Sequence, residues 1–369
     1  MDAGSRGDGP AGVLVRMPNW LGDAVMATCV LRAVRAGAPG ARIAAAARPK
    51  LGELFAGLPF MDEFVPLDDQ SLAGALRLGW SRRGAFDLAL ILPNSLRSAL
   101  MPFAARARRR IGYRGQGRGF LLTARLAPPG AGRGRRTPEP MPWYWRRIVE
   151  AAGLPWQGDA PELRVTDAER EGAAARARAF GLGADERLIG ISPGAAFGPS
   201  KLWLPERFAE AAALLHRATG MRAIVFLAPG EEALGAEIAR SARSPIISTA
   251  NDLLSIGLLK AFMTRCALLL STDSGTRHIA VALGTPVVTV VGPTDPRYTA
   301  YCLERQRVIA KKVPCGPCHF RECPTDHRCM TEIEAGEVAA AGLELLGRYA
   351  EAGRPNCAPG APRAPTKKW

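Results

Sequence analysis

Short apolar runs alternate with longer amphipathic stretches along most of the chain. Near the N-terminus "GVLVRM" (12–17), "ARIAAAA" (41–47) and "FDLALIL" (86–92) have the length of strands. Between the first two, "DAVMATCVLRAVRAG" (23–37) brings Val25, Cys29 and Val30 near helical spacing and stops at Gly37, which predicts one helix. After Leu163 the pattern repeats. "RLIGIS" (187–192), "RAIVFLA" (222–228), "SPIIST" (244–249), "CALLLST" (266–272) and "TPVVTVVG" (285–292) read as strands, separated by helical stretches such as "PERFAEAAALLHRAT", "EEALGAEIARSA", "DLLSIGLLKAFMTR" and "SGTRHIAVALG". Such alternation predicts parallel α/β sheets. Two sets predict two Rossmann-like domains, residues 13–160 and 161–350, joined near the Pro- and Gly-rich stretch "GLPWQGDAPELRV" (153–165). Residues 1–12 read as a disordered lead and 351–369 as a Pro-rich, basic, disordered tail.

In open parallel sheets ligands bind beyond the carboxyl ends of the strands, and two such domains facing each other form a cleft. Four stretches just after strands therefore carry the candidate chemistry. In "MPNWLGDAV" (17–25) Asp23 precedes a helix and reads first as an N-cap. A carboxylate in that place is also able to take a proton from an acceptor hydroxyl. In "ISPGAAFGPSKLWLPERF" (191–208) Gly194 and Gly198 admit a close ligand, and Ser200 and Lys201 add a hydroxyl and a mobile cation ahead of a helix. The stretch does not fit G-x-x-x-x-G-K-[ST], which excludes an ordinary P-loop. In "APGEEALG" (228–235) Glu231 and Glu232 suit a helix first turn, or hydrogen bonds from a nucleoside ribose. In "LLLSTDSGTRHIAVALG" (268–284) Thr272, Asp273, Ser274 and Gly275 open a helix, with His278 one turn after Ser274. Thr272 stands where a serine-hydrolase elbow needs glycine, so an anionic diphosphate or sugar is the better match.

Charge alters this picture in one region. The formal net charge is +15, and from Ala104 to Thr137 there are ten arginines and no acid. Such a block is either a solvated surface or a site for anions: nucleic acid, lipid headgroups or a phosphorylated substrate. Nucleic acid fits poorly, because Tyr113 and Phe120 are the only rings interleaved in it. No stretch approaches the length of a membrane span and the N-terminus lacks an apolar leader segment, which makes a cytoplasmic protein the expectation. Four of the eight cysteines, Cys29, Cys266, Cys302 and Cys357, are scattered, as suits a reducing compartment. Cys315, Cys318, Cys323 and Cys329 are spaced C-x2-C-x4-C-x5-C with His319 and His327 between them. They read as packed free thiols or as a structural zinc site.

Taken together, "RMPNWLGDAVMA", "LPNSLRSALMPFAARARRRIGYRGQGRGFLLT", "SPGAAFGPSKLWLPERFAE" and "STDSGTRHIAVALGTPVVTVVGPTDP" resemble, in order and spacing, the lipopolysaccharide heptosyltransferases of glycosyltransferase family 9, and "PGAAFGPSKLW" points to their heptosyltransferase II branch. The resemblance runs from about residue 13 to 345. It implies a GT-B fold, two Rossmann-like domains facing across a cleft, and an inverting transfer of L-glycero-D-manno-heptose from ADP-heptose to the first heptose of the inner core. Neither metal nor other cofactor is implied. By this resemblance Asp23 is the general base, with Asn19, Trp20, Gly22, Asn94, Ser95 and Arg97 on the acceptor side. Lys201, Ser200 and the N–H groups at Gly194 and Gly275 stabilise the leaving ADP. Glu231 or Glu232 holds the adenosine, and Thr272, Asp273, Ser274 and His278 line the heptose-diphosphate pocket. The partners expected are ADP-heptose, a lipid A-core acceptor and the anionic inner leaflet, met peripherally by the Arg106–Arg136 block, with no nucleic acid. Thr276 and Arg277 stand where many relatives have an apolar pair, which leaves open a different sugar nucleotide or acceptor.

Overall fold

The chain was analysed as a computed structural model that describes residues 9–68, 71–130 and 138–352. These divide between Pro161 and Glu162 into two units. The first contains β1 (Gly12–Arg16), α1 (Leu21–Met26), α2 (Thr28–Gly37), β2 (Arg42–Ala47), α3 (Gly52–Phe55), β3 (Glu63–Pro66), α4 (Leu72–Ser81), β4 (Leu88–Ile91), α5 (Leu96–Ala104), β5 (Arg109–Tyr113), β6 (Ala124–Leu126) and α6 (Met141–Ala151). Its strands form one parallel sheet in the order β3-β2-β1-β4-β5-β6. The central strands β1 and β4 are buried along their whole length, and in a parallel sheet covered on both faces that demands continuous apolar runs rather than alternation.

The second unit contains α7 (Asp167–Ala179), β7 (Leu188–Ser192), α8 (Pro205–Thr219), β8 (Arg222–Val225), α9 (Glu232–Arg240), β9 (Ile246–Ser248), α10 (Ile256–Arg265), β10 (Cys266–Thr272), α11 (Gly275–Ala282), β11 (Val287–Val290), β12 (Gln306–Ile309), α12 (Arg328–Thr331) and α13 (Ala335–Ala352). Its sheet is also wholly parallel, in the order β12-β11-β10-β7-β8-β9. Relative to its own first strand, each unit has the same doubly wound order, and the direction of winding reverses between β1 and β4 and between β7 and β10. A core that includes Ile189, Ile191, Trp203, Phe208, Leu268, Leu270 and Val288 fixes the β7 and β10 ends in the second unit.

Two expectations change. The helix predicted over 23–37 is two, α1 and α2, meeting at Ala27, where the Thr28 hydroxyl donates to the Val25 carbonyl at 2.8 Å. Four strands, β3, β5, β6 and β12, went unpredicted: they are three to five residues long and three of them contain arginine. The lead is described only from Gly9, and the tail beyond residue 352 lies outside the described residues.

Candidate active site

Three of the four stretches follow β1, β7 and β10, which with β4, the strand before the Asn94 loop, are the strands at which winding reverses; the fourth, with Glu231, follows β8. Splayed connections at that point leave room for a ligand.

In the first unit α1 begins at Leu21 with Trp20 as its N-cap, and Trp20 makes no side-chain cap bond. Asp23 is therefore not the N-cap. Its half-buried carboxylate lies in the first turn, where the helix dipole favours negative charge. Arg16, wholly buried at the end of β1, donates to Asn19 Oδ1 at 2.8 Å and to the Met17 and Ala46 carbonyls, which ties Asn19 to the strand end. Trp20 is exposed and Gly22 half-buried.

After β4, Ser95 caps α5 by accepting from Ser98 N–H, so this hydroxyl is occupied by the backbone. Asn94 and Arg97 are exposed. Asn94 donates to the Tyr144 hydroxyl at 2.8 Å and accepts from Arg118 Nη2 at 3.3 Å. Arg118 belongs to the basic block but is fully buried. Its guanidinium donates to the Tyr113 and Pro93 carbonyls and to Ser98 Oγ, and holds the Asn94 loop to the sheet. Burial pushes its pKa down to about 10. The block is thus no uniform surface. Arg109, itself exposed, and the half-buried Arg110 donate to backbone carbonyls, and Arg106, Arg108, Arg114 and Arg125 are exposed. Arg133, Arg135 and Arg136 lie outside the described residues.

In the second unit Lys201, in the turn Pro199–Lys201, donates to Asp273 Oδ2 at 2.6 Å and to the Asp273 carbonyl at 3.1 Å, with its ammonium 5.0 Å from the Phe197 ring centre. Thr294 Oγ1 donates to the same carboxylate at 2.9 Å, and Arg277 Nη1 stands 3.3 Å from Asp273 Oδ1. Arg277 is almost fully buried, and neither its Nε nor its Nη1 makes a hydrogen bond among the described residues. Burial alone opposes ionisation of Asp273, but the charges of Arg277 and Lys201 prevail and hold its carboxyl well below the usual range. One carboxylate between two cations leaves a local excess of positive charge. Burial, and then Arg277, keep His278 neutral, so it acts through hydrogen bonds. Its Nδ1 meets the Tyr301 hydroxyl at 2.5 Å.

Gly194 is required sterically: a Cβ there would lie 1.9 Å from Glu231 Oε1. That contact separates the two glutamates. Glu231 reaches the loop after β7, accepts from Ala228 N–H and has its pKa raised by burial, while Glu232 is exposed and accepts from Gly230 N–H. Thr272 is buried and donates to the Gly194 carbonyl at 2.7 Å, so it links the two loops rather than facing a ligand. Ser274 and Gly275 open α11, with Ser274 Oγ 3.3 Å from Ser271 Oγ. Ser200 departs from expectation as a ligand hydroxyl. It is buried, donating to the Phe320 carbonyl at 2.6 Å, while its N–H donates to Arg321 O and its carbonyl meets His327 Nε2 at 2.7 Å. The segment 315–330 is thereby fastened to the Lys201 turn.

The cysteines in that segment do not build the zinc site their spacing suggested. Among the described residues no three His, Cys, Asp or Glu side chains gather into a group able to hold a metal ion. Cys315 is exposed, Cys318 and Cys323 half-buried and Cys329 buried, its thiol pushed up to about 11 by burial and then by the other three. Sequence reasoning missed the supporting roles of Arg118, Tyr144, Thr294 and Tyr301. Arg277 carried a signal only as a departure from the family pattern.

The model of glycosyltransferase family 9 (heptosyltransferase) matches residues 77–328. Lipopolysaccharide heptosyltransferase 2 of Salmonella typhimurium is 31% identical over 309 residues, covering 80% of this chain and 87% of that protein. Lipooligosaccharide heptosyltransferase 2 of Haemophilus ducreyi is 30% identical over 358 residues, covering 90% and 99%. Among solved structures, E. coli ADP-heptose LPS heptosyltransferase II superposes with a TM-score of 0.76 at 26% identity, covering 92% of this chain and 99% of that one. The GT-B α/β fold is common to both. A likeness of this extent in sequence and fold assigns the chain to glycosyltransferase family 9, the heptosyltransferases.

Proposed function

We propose that the chain transfers L-glycero-D-manno-heptose from ADP-heptose to the first heptose of the lipopolysaccharide inner core, with inversion. The observation that carries this reading is the Lys201–Asp273–Arg277 cluster at the β7/β10 reversal, a buried carboxylate between two cations where a nucleoside diphosphate is expected. The names of the relatives, lipopolysaccharide and lipooligosaccharide heptosyltransferase 2, support the sugar and the acceptor class.

In the proposed reaction an acceptor hydroxyl oxygen attacks the anomeric carbon of the donor heptose. The bond from that carbon to the diphosphate oxygen breaks, and the hydroxyl proton passes to Asp23. ADP leaves with an added negative charge, which Lys201 and the backbone N–H groups at Gly194 and Gly275 stabilise. Glu231, rather than Glu232, accepts from the nucleoside, since it reaches the loop after β7. Asn94, Arg97, Asn19 and Trp20 contact the acceptor, and His278 orients the donor sugar as a neutral hydrogen-bonding group. No step draws on a metal. The acceptor is lipid-linked, so the enzyme works in the cytoplasm against the anionic inner leaflet. Among the described residues no helix is long and apolar enough to cross a membrane.

The test is incubation with ADP-heptose and a heptosylated lipid A-core acceptor. Asp23→Asn should lower kcat by at least about a hundredfold while leaving ADP affinity within about twofold. A variant as fast as wild type would remove Asp23 as the base. Thermal stabilisation by ADP-heptose should exceed that by UDP- or GDP-sugars, and the reverse order would change the donor class.

A further inference from the structure

Ten large apolar side chains are exposed among the described residues, and six of them sit on three adjoining elements of the first unit. Leu72, Leu76 and Trp80 recur every four residues and form one solvent-facing stripe of α4. Leu96 and Phe103 are exposed on α5, and Phe120 on the turn Arg118–Leu121 that packs against α5. The opposite side of α4 is committed: a Cβ on Gly79 would lie 2.5 Å from the Met101 carbonyl of α5, so the helices are in backbone contact and the stripe faces outward. Trp80 is 65% exposed and Phe120 69%, far more than a core-facing ring leaves to water.

The surrounding charge is mostly positive. Among the described residues between Leu72 and Gly130 there are eleven arginines, of which Arg118 is buried, and a single acid, Asp87, which is hydrogen-bonded to the N–H groups of Ala11 and Gly12, while Glu63 of β3 pairs with Arg82. Guanidinium groups are placed against the exposed rings, Arg83 at 4.6 Å from the Trp80 ring centre and Arg110 at 5.5 Å from that of Phe103. Aromatic and leucine side chains beside arginine suit the boundary between acyl chains and anionic headgroups: the rings enter the boundary while the guanidinium groups meet phosphate.

We propose that the α4–α5 face is the membrane-docking surface, with an anionic bilayer as its occupant and with Leu76, Trp80 and Phe103 as its inserting residues. This rests on the reading of the acceptor as lipid-linked and names the elements that bring the enzyme to it. A second copy of the chain is a poor occupant, because self-pairing would bring arginine against arginine.

Co-sedimentation of the full chain with vesicles tests the idea without recourse to heptose transfer. Wild type should bind vesicles of phosphatidylcholine mixed with phosphatidylglycerol and bind phosphatidylcholine alone at least about tenfold more weakly. Leu76→Ser/Trp80→Ser should lose about tenfold or more in partitioning onto the mixed vesicles. Arg77→Glu/Arg83→Glu should lose as much, with a smaller dependence on salt than wild type. Both variants alter exposed side chains and should keep the wild-type unfolding midpoint and the wild-type rate on a water-soluble acceptor. The proposal is overturned if wild type does not sediment with anionic vesicles, or if the Leu76/Trp80 variant binds them as wild type does. It is overturned equally if wild type is a dimer that the same substitutions dissociate, or if an oligonucleotide binds the face with an affinity that the apolar substitutions leave unchanged. Absence of heptose transfer by wild type to the soluble acceptor would instead remove the proposed function, and the vesicle result stands apart from it.

Discussion

Asp273 takes a cation on each side of its carboxylate, Lys201 at Oδ2 and Arg277 beside Oδ1. In the proposed reaction a bound diphosphate would compete with Asp273 for Lys201, while Arg277, fixed in the interior, would keep facing the carboxylate. Replacing Arg277 with Met should raise the pKa of Asp273, since one of the two charges that hold it down is lost. The direction on stability follows from linkage. A carboxylate depressed in the folded state stabilises above its unfolded value, and that contribution is lost as pH falls through the folded value. In Arg277→Met less of this contribution exists above the unfolded value, so the deficit in the urea midpoint relative to wild type should be largest near about pH 6 and should narrow as pH falls toward about 3. Parallel curves would show that Arg277 does not govern the ionisation of Asp273. Arg118 is another buried cation, held by carbonyls rather than by an acid. Arg118→Met would leave the Tyr113 and Pro93 carbonyls unpaired, at a cost of about 2–4 kcal/mol in unfolding free energy. In the transfer assay it should raise the acceptor KM more than the donor KM.

Among the elements, what distinguishes a legible strand from a hidden one is an unbroken apolar run, which central strands must have and which the edge strand β9 also carries. β1, β4, β7 and β10 are central, buried on both faces, and so appear as unbroken apolar runs. β3, β6 and β12 are edge strands, and β5 is "RRIGY", whose arginines carry their charged ends away from the sheet to carbonyls of neighbouring elements. The loops after the central strands depend on close approach. Gly194→Ala would force its methyl into the Glu231 carboxylate and should lower the unfolding free energy by about 1–3 kcal/mol while weakening ADP binding. Calorimetry with ADP measures the second effect, and unaltered affinity would show that Glu231 does not contact the nucleotide. The segment 315–330, which reads in sequence as a metal motif, serves in the fold to fasten the Lys201 turn through Phe320, Arg321 and His327.

At the scale of the whole molecule, two sheets with the same strand order each offer a reversal point, and chemically different residues occupy them. Hydrogen exchange gives the corresponding prediction. ADP should protect amides after β7, β8 and β10 in the second unit, and at a hundredfold excess over its Kd should stabilise by about 2.7 kcal/mol. Protection confined to the loops after β1 and β4 would reverse the assignment of donor and acceptor to the units. The sequence by itself determined the α/β class, the two-fold repetition of the pattern and the placing of Asp23, Lys201 and Asp273 in the segments that follow central strands, because central parallel strands must be apolar and end where polar residues begin. It did not determine which polar groups face a ligand. Ser200 and Thr272 look like ligand hydroxyls and are spent on Phe320 and Gly194, four crowded cysteines hold no metal geometry, and Arg118 leaves a basic surface to hold the Asn94 loop. Tertiary structure alone decided these points, since a buried donor takes whichever acceptor packing brings to it, 120 residues away for Ser200 and 78 for Thr272.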